Sequence, residues 1–214
     1  MRPRTHWGPA QGQPTVTVLL RHGQTPMSVQ KRYAGRTDVP LTDVGAEQAT
    51  AAAKRLAPAG LDAIVTSPLQ RTVQTAQAVA AVTGAAVVTD DGFRETDFGA
   101  WEGLTFTEVR ERWPAEVTAW LADPEVAPPG GESFTDVNTR VTAALDRVLA
   151  AQTGQTVLIV SHVTPIKMLV AAALLAPPPA LYRMHLDVAA LSEIDWYADG
   201  PAVLRSFNDT GHLS

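Results

Sequence analysis

Hydrophobic positions along this chain follow two rhythms. Val16-Thr-Val-Leu-Leu20, Asp62-Ala-Ile-Val-Thr66, Ala86-Val-Val-Thr89 and Thr156-Val-Leu-Ile-Val160 are short β-branched or aliphatic runs, and each predicts a buried strand. Segments of helical period separate them. Thr42-Asp43 reads as a helix start, residues 46–56 are alanine-rich, and Pro58-Ala-Gly60 closes the segment. Ser67-Pro68 predicts a strand-to-helix turn, with Pro68 near the first helical turn and a stop at Gly84. Two short helical pieces flank Trp113-Pro114, and Ser133 is the expected N-cap of a helix reaching Gln152. A further helix is expected from Pro165 until Pro177-Pro-Pro179 breaks it. Residues 191–197 and 202–206 read as a hairpin around Asp199-Gly200. Residues 24–40 are polar and rich in turn formers, and 90–103 read as an ordered loop. Strand–helix alternation predicts an α/β fold with a largely parallel sheet. The helical pieces between Thr105 and Gln152 form an insertion capping one end, with 105–132 as the cap proper.

Composition narrows the class. At 214 residues, 45% hydrophobic and 18% charged, the chain has material for a sizeable core. Residues 15–214 are expected to fold as one domain behind a flexible segment, 1–14, without a signal-peptide apolar region. A net charge of −5 disfavours a nucleic-acid partner held by bulk charge. The absence of cysteine rules out disulfides and thiolate metal sites, and the default location is the cytoplasm. The apolar stretch 168–176 is too short to span a bilayer, so no membrane partner is expected.

Three of the predicted strands end in similar chemistry. The first runs into Arg21-His22-Gly23, the second leads through Ser67-Pro68 to Arg71, and the fourth ends in Ser161-His162. In a parallel sheet these ends share one rim, where ligands of open α/β folds bind. Two imidazoles, two guanidiniums and the amino ends of the following helices then converge on a pocket suited to phosphate. Neutral imidazole is a good nucleophile toward phosphorus. A leaving oxygen needs a proton, and Glu95, in an aromatic-flanked loop, is the first candidate, with Asp97 and Glu102 as rivals. His6, His22, His162, His185 and His212 show no ligand spacing, so neither a metal nor another cofactor is expected.

These residues fall into ordered motifs. Leu20-Arg-His-Gly-Gln-Thr25 with Gly35-Arg-Thr-Asp-Val-Pro-Leu-Thr42, Ser67-Pro-Leu-Gln-Arg-Thr72, Glu95-Thr-Asp-Phe-Gly-Ala-Trp-Glu-Gly-Leu104, Gly130-Gly-Glu-Ser133 and Val160-Ser-His-Val163 together resemble the histidine phosphatase superfamily, the phosphoglycerate-mutase-like fold. The resemblance implies a three-layer α/β/α sandwich with a mostly parallel sheet and a small helical cap. It implies that His22 is the nucleophile that becomes phosphohistidine, that Arg21, Arg71 and a protonated His162 hold the phosphoryl group, and that Glu95 donates the proton. It extends the phosphate and substrate contacts to Gly23, Ser28, Gly35, Arg36 and Val163. Ser28 stands where the family often has asparagine, and Gln24 where glutamate is common. Asp97-Phe-Gly-Ala-Trp-Glu-Gly103 resembles α-ribazole-phosphate phosphatases and broad acid phosphatases more than mutases. Residues 161–167 and 181–187 resemble the C-terminal phosphatase domain of bifunctional ribonuclease H–acid phosphatase proteins, which implies an N-terminal ribonuclease H-like domain in the full-length protein. The expected activity is a metal-independent phosphomonoesterase acting on a small molecule. A mutase and a non-catalytic phospho-ligand module are the alternatives, and Arg36, Arg94, Trp101 and Tyr33 are candidate leaving-group contacts.

Overall fold

A computed structural model describes residues 12–214. Most of the expected linker, and His6, lie outside the described residues.

Six strands form one sheet in the order β3-β2-β4-β1-β5-β6. They are β1 (Thr15–Arg21), β2 (Ala63–Thr66), β3 (Val87–Thr89), β4 (Thr156–Ser161), β5 (Leu191–Trp196) and β6 (Ala202–Asp209). β1, β2, β3 and β4 run parallel, and the β5–β6 hairpin adds antiparallel to β1. Side chains of a strand alternate between faces, so a strand buried on both sides reads as a continuous apolar run. β4 is such a strand. Val157 and Ile159 join one core with Leu19 and Ile194, while Leu158 and Val160 join a second with Val18, Leu20 and Ile64.

Helices cover both faces. α2 (Asp43–Leu56) and α3 (Gln70–Thr83) bury Ala52, Ala53, Leu56, Ala76 and Val79 in the second core. α6 (Phe134–Ala151) and α7 (Val163–Ala173) bury Val137, Val141, Leu145 and Leu169 in the first. The result is a three-layer α/β/α sandwich. α6 is thus a body helix and not part of a capping insertion, because its apolar face lies on the sheet.

Two helix starts differ from the sequence reading. α3 begins at Gln70, after Pro68, because the Asp38 carboxylate accepts from the Gln70 N–H at 2.7 Å. α7 begins at Val163 and not at Pro165. In each case a residue distant in sequence satisfies N–H groups that a helix start leaves free. A four-residue helix, α1 (Pro26–Val29), also forms within the polar 24–40 segment, closed by a capping box between Thr25 and Ser28.

Residues 90–103 form an ordered loop with 3₁₀ turns at Asp91–Phe93 and Gly99–Trp101. Phe93 and Trp101 are fully buried. The short helices α4 (Phe106–Arg112) and α5 (Pro114–Ala122) close over this loop. Trp120 of α5 meets Trp101 edge-on at 5.4 Å and Phe134 at 5.1 Å. Tyr33 packs on Phe98 at 4.6 Å. This aromatic stack fixes the loop to the body. Replacing Trp101 with alanine is expected to cost about 3–5 kcal/mol of unfolding free energy, measured by urea denaturation. A loss under about 1 kcal/mol would show that the stack does not anchor the loop.

Candidate active site

The rim is assembled by strand register. β1 and β4 pair Arg21 with Ser161, so the residue after each strand is a histidine on the same edge. The His22 N–H donates to the Ser161 carbonyl at 3.1 Å, and the two imidazoles stand edge-on, 5.2 Å between centroids. Close approach of backbone makes this turn possible. A Cβ on Gly23 would sit 2.4 Å from the Gly45 oxygen in the first turn of α2.

His22 Nδ1 lies 2.7 Å from the Gly23 carbonyl. A carbonyl only accepts, so Nδ1 carries the proton and Nε2 keeps its lone pair. Burial holds the His22 pKa well below the usual imidazole range, and the charges of Arg21 and Arg71 push in the same direction. His162 is neutral as well. Its Nδ1 accepts from Arg71 Nε at 3.3 Å, which places its proton on Nε2, 2.8 Å from the Ser67 hydroxyl. Burial is the largest cause of its lowered pKa, followed by Arg71. The resemblance implies a protonated ring here, whereas the hydrogen bonds of His162 in this structure are those of the neutral Nε2–H tautomer.

The two arginines are held by carbonyls. Arg21 Nη1 donates to Leu186 O at 2.7 Å, and its buried Nε finds no partner among the described residues. Burial pushes its pKa down to about 10, with Glu95 and Asp187 opposing. Arg71 Nη1 donates to Thr37 O, and Nη2 to Ala34 O and Gly35 O, each at 2.9 Å. With Nε on His162, one Nη1 hydrogen stays free. Arg71 therefore organises the 34–37 loop as much as it presents charge to a ligand.

Glu95 sits on the amino end of α7. One carboxylate oxygen accepts from Val163 N–H at 3.0 Å and the other from Thr96 N–H at 2.9 Å, with Thr164 N–H between them. Two residues hold its loop from behind. The Ser161 hydroxyl donates to Phe93 O at 2.7 Å. The Arg140 guanidinium of α6 donates to the carbonyls of Gly92, Arg94 and Glu95 and grips Glu132 by two bonds. A cavity of about 230 Å³ gathers Arg21, His22, Ser28 and Glu95 with Tyr33 and Phe98 on its wall. A larger, shallow depression of about 700 Å³ lies along α2 and holds none of these groups. Among the described residues, no cluster of histidine, aspartate and glutamate is placed to hold a metal.

Several expected contacts are placed elsewhere. The Gly23 N–H is taken by the Thr75 hydroxyl, and Gly35 gives its N–H to Glu102 and its carbonyl to Arg71. Both glycines shape the site and have no N–H left for phosphate. Arg36 points outward and pairs with Asp97 at 2.8 Å. Val163 lines the cavity with its N–H on Glu95. The Ser28 hydroxyl donates to Thr25 O while lining the cavity. Trp101 is buried and Arg94 pairs with Asp91, so neither lines the cavity, whereas Tyr33 does. Glu102 accepts from the N–H groups of Gly35, Arg36 and Thr37 and acts as a loop anchor. Thr25, Arg32, Phe98 and Thr164 also line the cavity but escaped sequence reasoning, as did Arg140 behind it.

The family described as "Histidine phosphatase superfamily (branch 1)" matches residues 17–210. The chain is 52% identical to "Bifunctional protein Rv2228c" of Mycobacterium tuberculosis, over 97% of the chain and 57% of that relative. It thus spans little more than half of that protein. It is 36% identical to "Probable phosphoglycerate mutase GpmB" of Yersinia enterocolitica, over 91% of the chain and 93% of the relative. A mycobacterial glucosyl-3-phosphoglycerate phosphatase superposes with a TM-score of 0.84 at 31% identity, covering 92% of this chain and all of that one. A putative α-ribazole-5′-phosphate phosphatase from Escherichia coli gives 0.85 at 28% identity, covering 92% and 91%.

Two neutral buried histidines tie stability to pH. Both titrate in the unfolded chain near pH 6.5 and stay neutral well below that when folded. Below pH 6.5 the unfolded state binds more protons, so stability is complete above that pH and falls as pH drops. Each histidine contributes a slope of up to about 1.4 kcal/mol per pH unit. Urea midpoints between pH 7.5 and 5 are expected to fall less steeply in His162→Gln than in the native chain. Equal slopes would mean that His162 is not buried in its neutral form.

Proposed function

The chain belongs to the histidine phosphatase superfamily, branch 1, and on that premise we propose that it is a metal-independent phosphomonoesterase acting through a phosphohistidine on His22. One observation carries this reading. The Gly23 carbonyl fixes the proton on Nδ1 and leaves Nε2 as a free nucleophile in the cavity that also holds Glu95 and the unpartnered Arg21 Nε.

The chemistry runs in two halves. Nε2 attacks phosphorus, the phosphorus–oxygen bond to the alcohol breaks, and Glu95 delivers a proton to the departing oxygen. Water then attacks the phosphohistidine, Glu95 takes its proton, and the phosphorus–nitrogen bond breaks to return neutral His22 and release phosphate. Arg21 and the remaining Arg71 hydrogen stabilise charge on the equatorial oxygens, so catalysis is mainly positioning and electrostatics. Because Glu95 is fixed by three backbone N–H groups, it needs no reorganisation between the halves.

Phosphatase is favoured over mutase by Thr96-Asp97 after the glutamate and by the short segment that follows. A broad acid phosphatase or an α-ribazole-phosphate phosphatase is the finer reading, and a small phosphomonoester is the proposed partner. Two further parts of the proposal are a fused ribonuclease H-like domain in the full-length protein and a cytoplasmic location. Coverage of 57% of a relative named bifunctional supports the first. Among the described residues, no helix is long and apolar enough to cross a membrane, which is compatible with the second.

p-Nitrophenyl phosphate is expected to be hydrolysed in the presence of chelator, with the rate lowered about 10³-fold or more in His22→Ala. Quenched turnover should trap an acid-labile, alkali-stable phosphoryl group on the native chain. Full activity in His22→Ala would remove the nucleophile. Phosphoglycerate interconversion that depends on a bisphosphate primer would assign the mutase instead.

A further inference from the structure

The nucleophilic role of His22 requires its proton on Nδ1, and the Gly23 carbonyl puts it there. That carbonyl belongs to the peptide unit joining Gly23 to Gln24, whose N–H faces the opposite way. The Gln24 N–H donates to the side-chain oxygen of Gln48 at 2.8 Å. An N–H only donates, so the Gln48 amide must present its oxygen here. Gln48 lies on α2, one turn after Gly45 and one turn before Ala52. Both of those are buried, so Gln48 is on the face that packs against the body. Among the described residues, the bonds to His22 and Gln48 are the only hydrogen bonds this peptide unit makes. Its neighbours are held separately. The Gly23 N–H rests on the Thr75 hydroxyl at 3.2 Å, and the Gln24 carbonyl accepts from the Thr42 N–H at 3.0 Å.

This unit needs a lock. Residue 23 is glycine because a Cβ there would sit 2.4 Å from the Gly45 oxygen. The same lack of a side chain lets the 23–24 unit rotate at low cost. Turned over, it would present the Gln24 N–H to His22 Nδ1. Nδ1 would then have to accept, the proton would sit on Nε2, and no lone pair would face phosphorus. We propose that Gln48 is a positioning residue for the nucleophile. By accepting from the Gln24 N–H, it holds the peptide in the orientation that keeps the His22 proton on Nδ1. The bond also polarises the unit, which strengthens the Gly23 carbonyl as an acceptor once phosphorylation makes the ring cationic. The effect on turnover rests on the phosphomonoesterase reading, whereas the tautomer is a property of the folded chain alone.

The test reads the tautomer directly, by nitrogen NMR of the chain with isotope-labelled histidine. His22 is identified by the signals lost in His22→Ala. The native chain is expected to show a protonated Nδ1 and a bare Nε2. Gln48→Met keeps the side-chain length without a strong acceptor. It should populate the Nε2–H form measurably and lower kcat/KM for p-nitrophenyl phosphate about tenfold. Inhibition by inorganic phosphate should not weaken, since Arg21 and Arg71 keep their carbonyl anchors. Gln48→Glu retains an acceptor and should keep the native tautomer and most of the rate. Thermal unfolding checks each variant, and Gln48→Leu takes the place of Gln48→Met if the latter does not fold. The proposal is refuted if His22 keeps its native tautomer without the acceptor. It is refuted too if phosphate inhibition is lost together with the rate, which would make Gln48 a general support of the site. If the native chain hydrolyses no phosphomonoester, the phosphomonoesterase reading fails, and the nitrogen signals alone decide the role of Gln48.

Discussion

The parallel register between β1 and β4 is the constraint on which the site depends. It sets Arg21 opposite Ser161 and so puts His22 and His162 side by side at one edge of the sheet. A slip of one residue would reverse the faces of every side chain in the strand. Here that would drive Leu19 from one core into the other and turn the edge that carries the two histidines away from the helices. The burial of Leu19, Leu20, Leu158 and Ile159 therefore enforces the position of the two imidazoles. Core packing and chemistry are selected by the same pairing.

The second organising feature is how the arginines are held. Arg21 rests on the Leu186 carbonyl and Arg71 on those of Ala34, Gly35 and Thr37. A carboxylate partner would neutralise either guanidinium. Carbonyls satisfy the N–H groups and leave the positive charge standing. The rim thus holds two desolvated cations near Glu95, which lies against the amino end of α7, while the other nearby carboxylates, Asp187, Asp38 and Glu102, make no hydrogen bond to either guanidinium. Burying such charge costs stability and lowers the pKa of both arginines. The return is a field already arranged for an anion, with little to move when one arrives. Where the molecule does use arginine–carboxylate pairs, as in Arg140–Glu132 and Arg32–Glu108, they lie behind or beside the cavity and fix loops.

What the sequence revealed follows from how local each signal is. The strands were legible because β1 and β4 are buried on both faces and read as unbroken apolar runs. Helix ends set by nearby residues were legible too, at Thr42, Gly84 and Ser133. The starts of α3 and α7 were not, since their caps, Asp38 and Glu95, come from distant loops. The chemical groups His22, Arg21, Arg71, Glu95 and His162 do meet at one rim. The glycines misled, because a motif shows that a glycine is needed but not whether its N–H faces a ligand or a neighbouring chain. Gly23 is there for the approach of α2, and Gly35 for Glu102. Arg140 was missed because three of its partners are the carbonyls of Gly92, Arg94 and Glu95, and carbonyls leave no trace in a sequence.

The state of His162 shows how these levels meet. Read as a motif, a second histidine beside a phosphoryl group invites a positive charge. In the folded chain it faces a guanidinium that must donate, so its Nδ1 accepts, and full burial removes the solvent that would stabilise a proton. His22 is subject to the same field and is neutral for the same reasons. A division of labour follows: the arginines supply charge and the imidazoles supply lone pairs. On His22 that lone pair faces the cavity, and on His162 it fixes Arg71. Two chemically identical side chains at equivalent strand ends acquire different tasks because one hydrogen-bonds a carbonyl and the other a guanidinium.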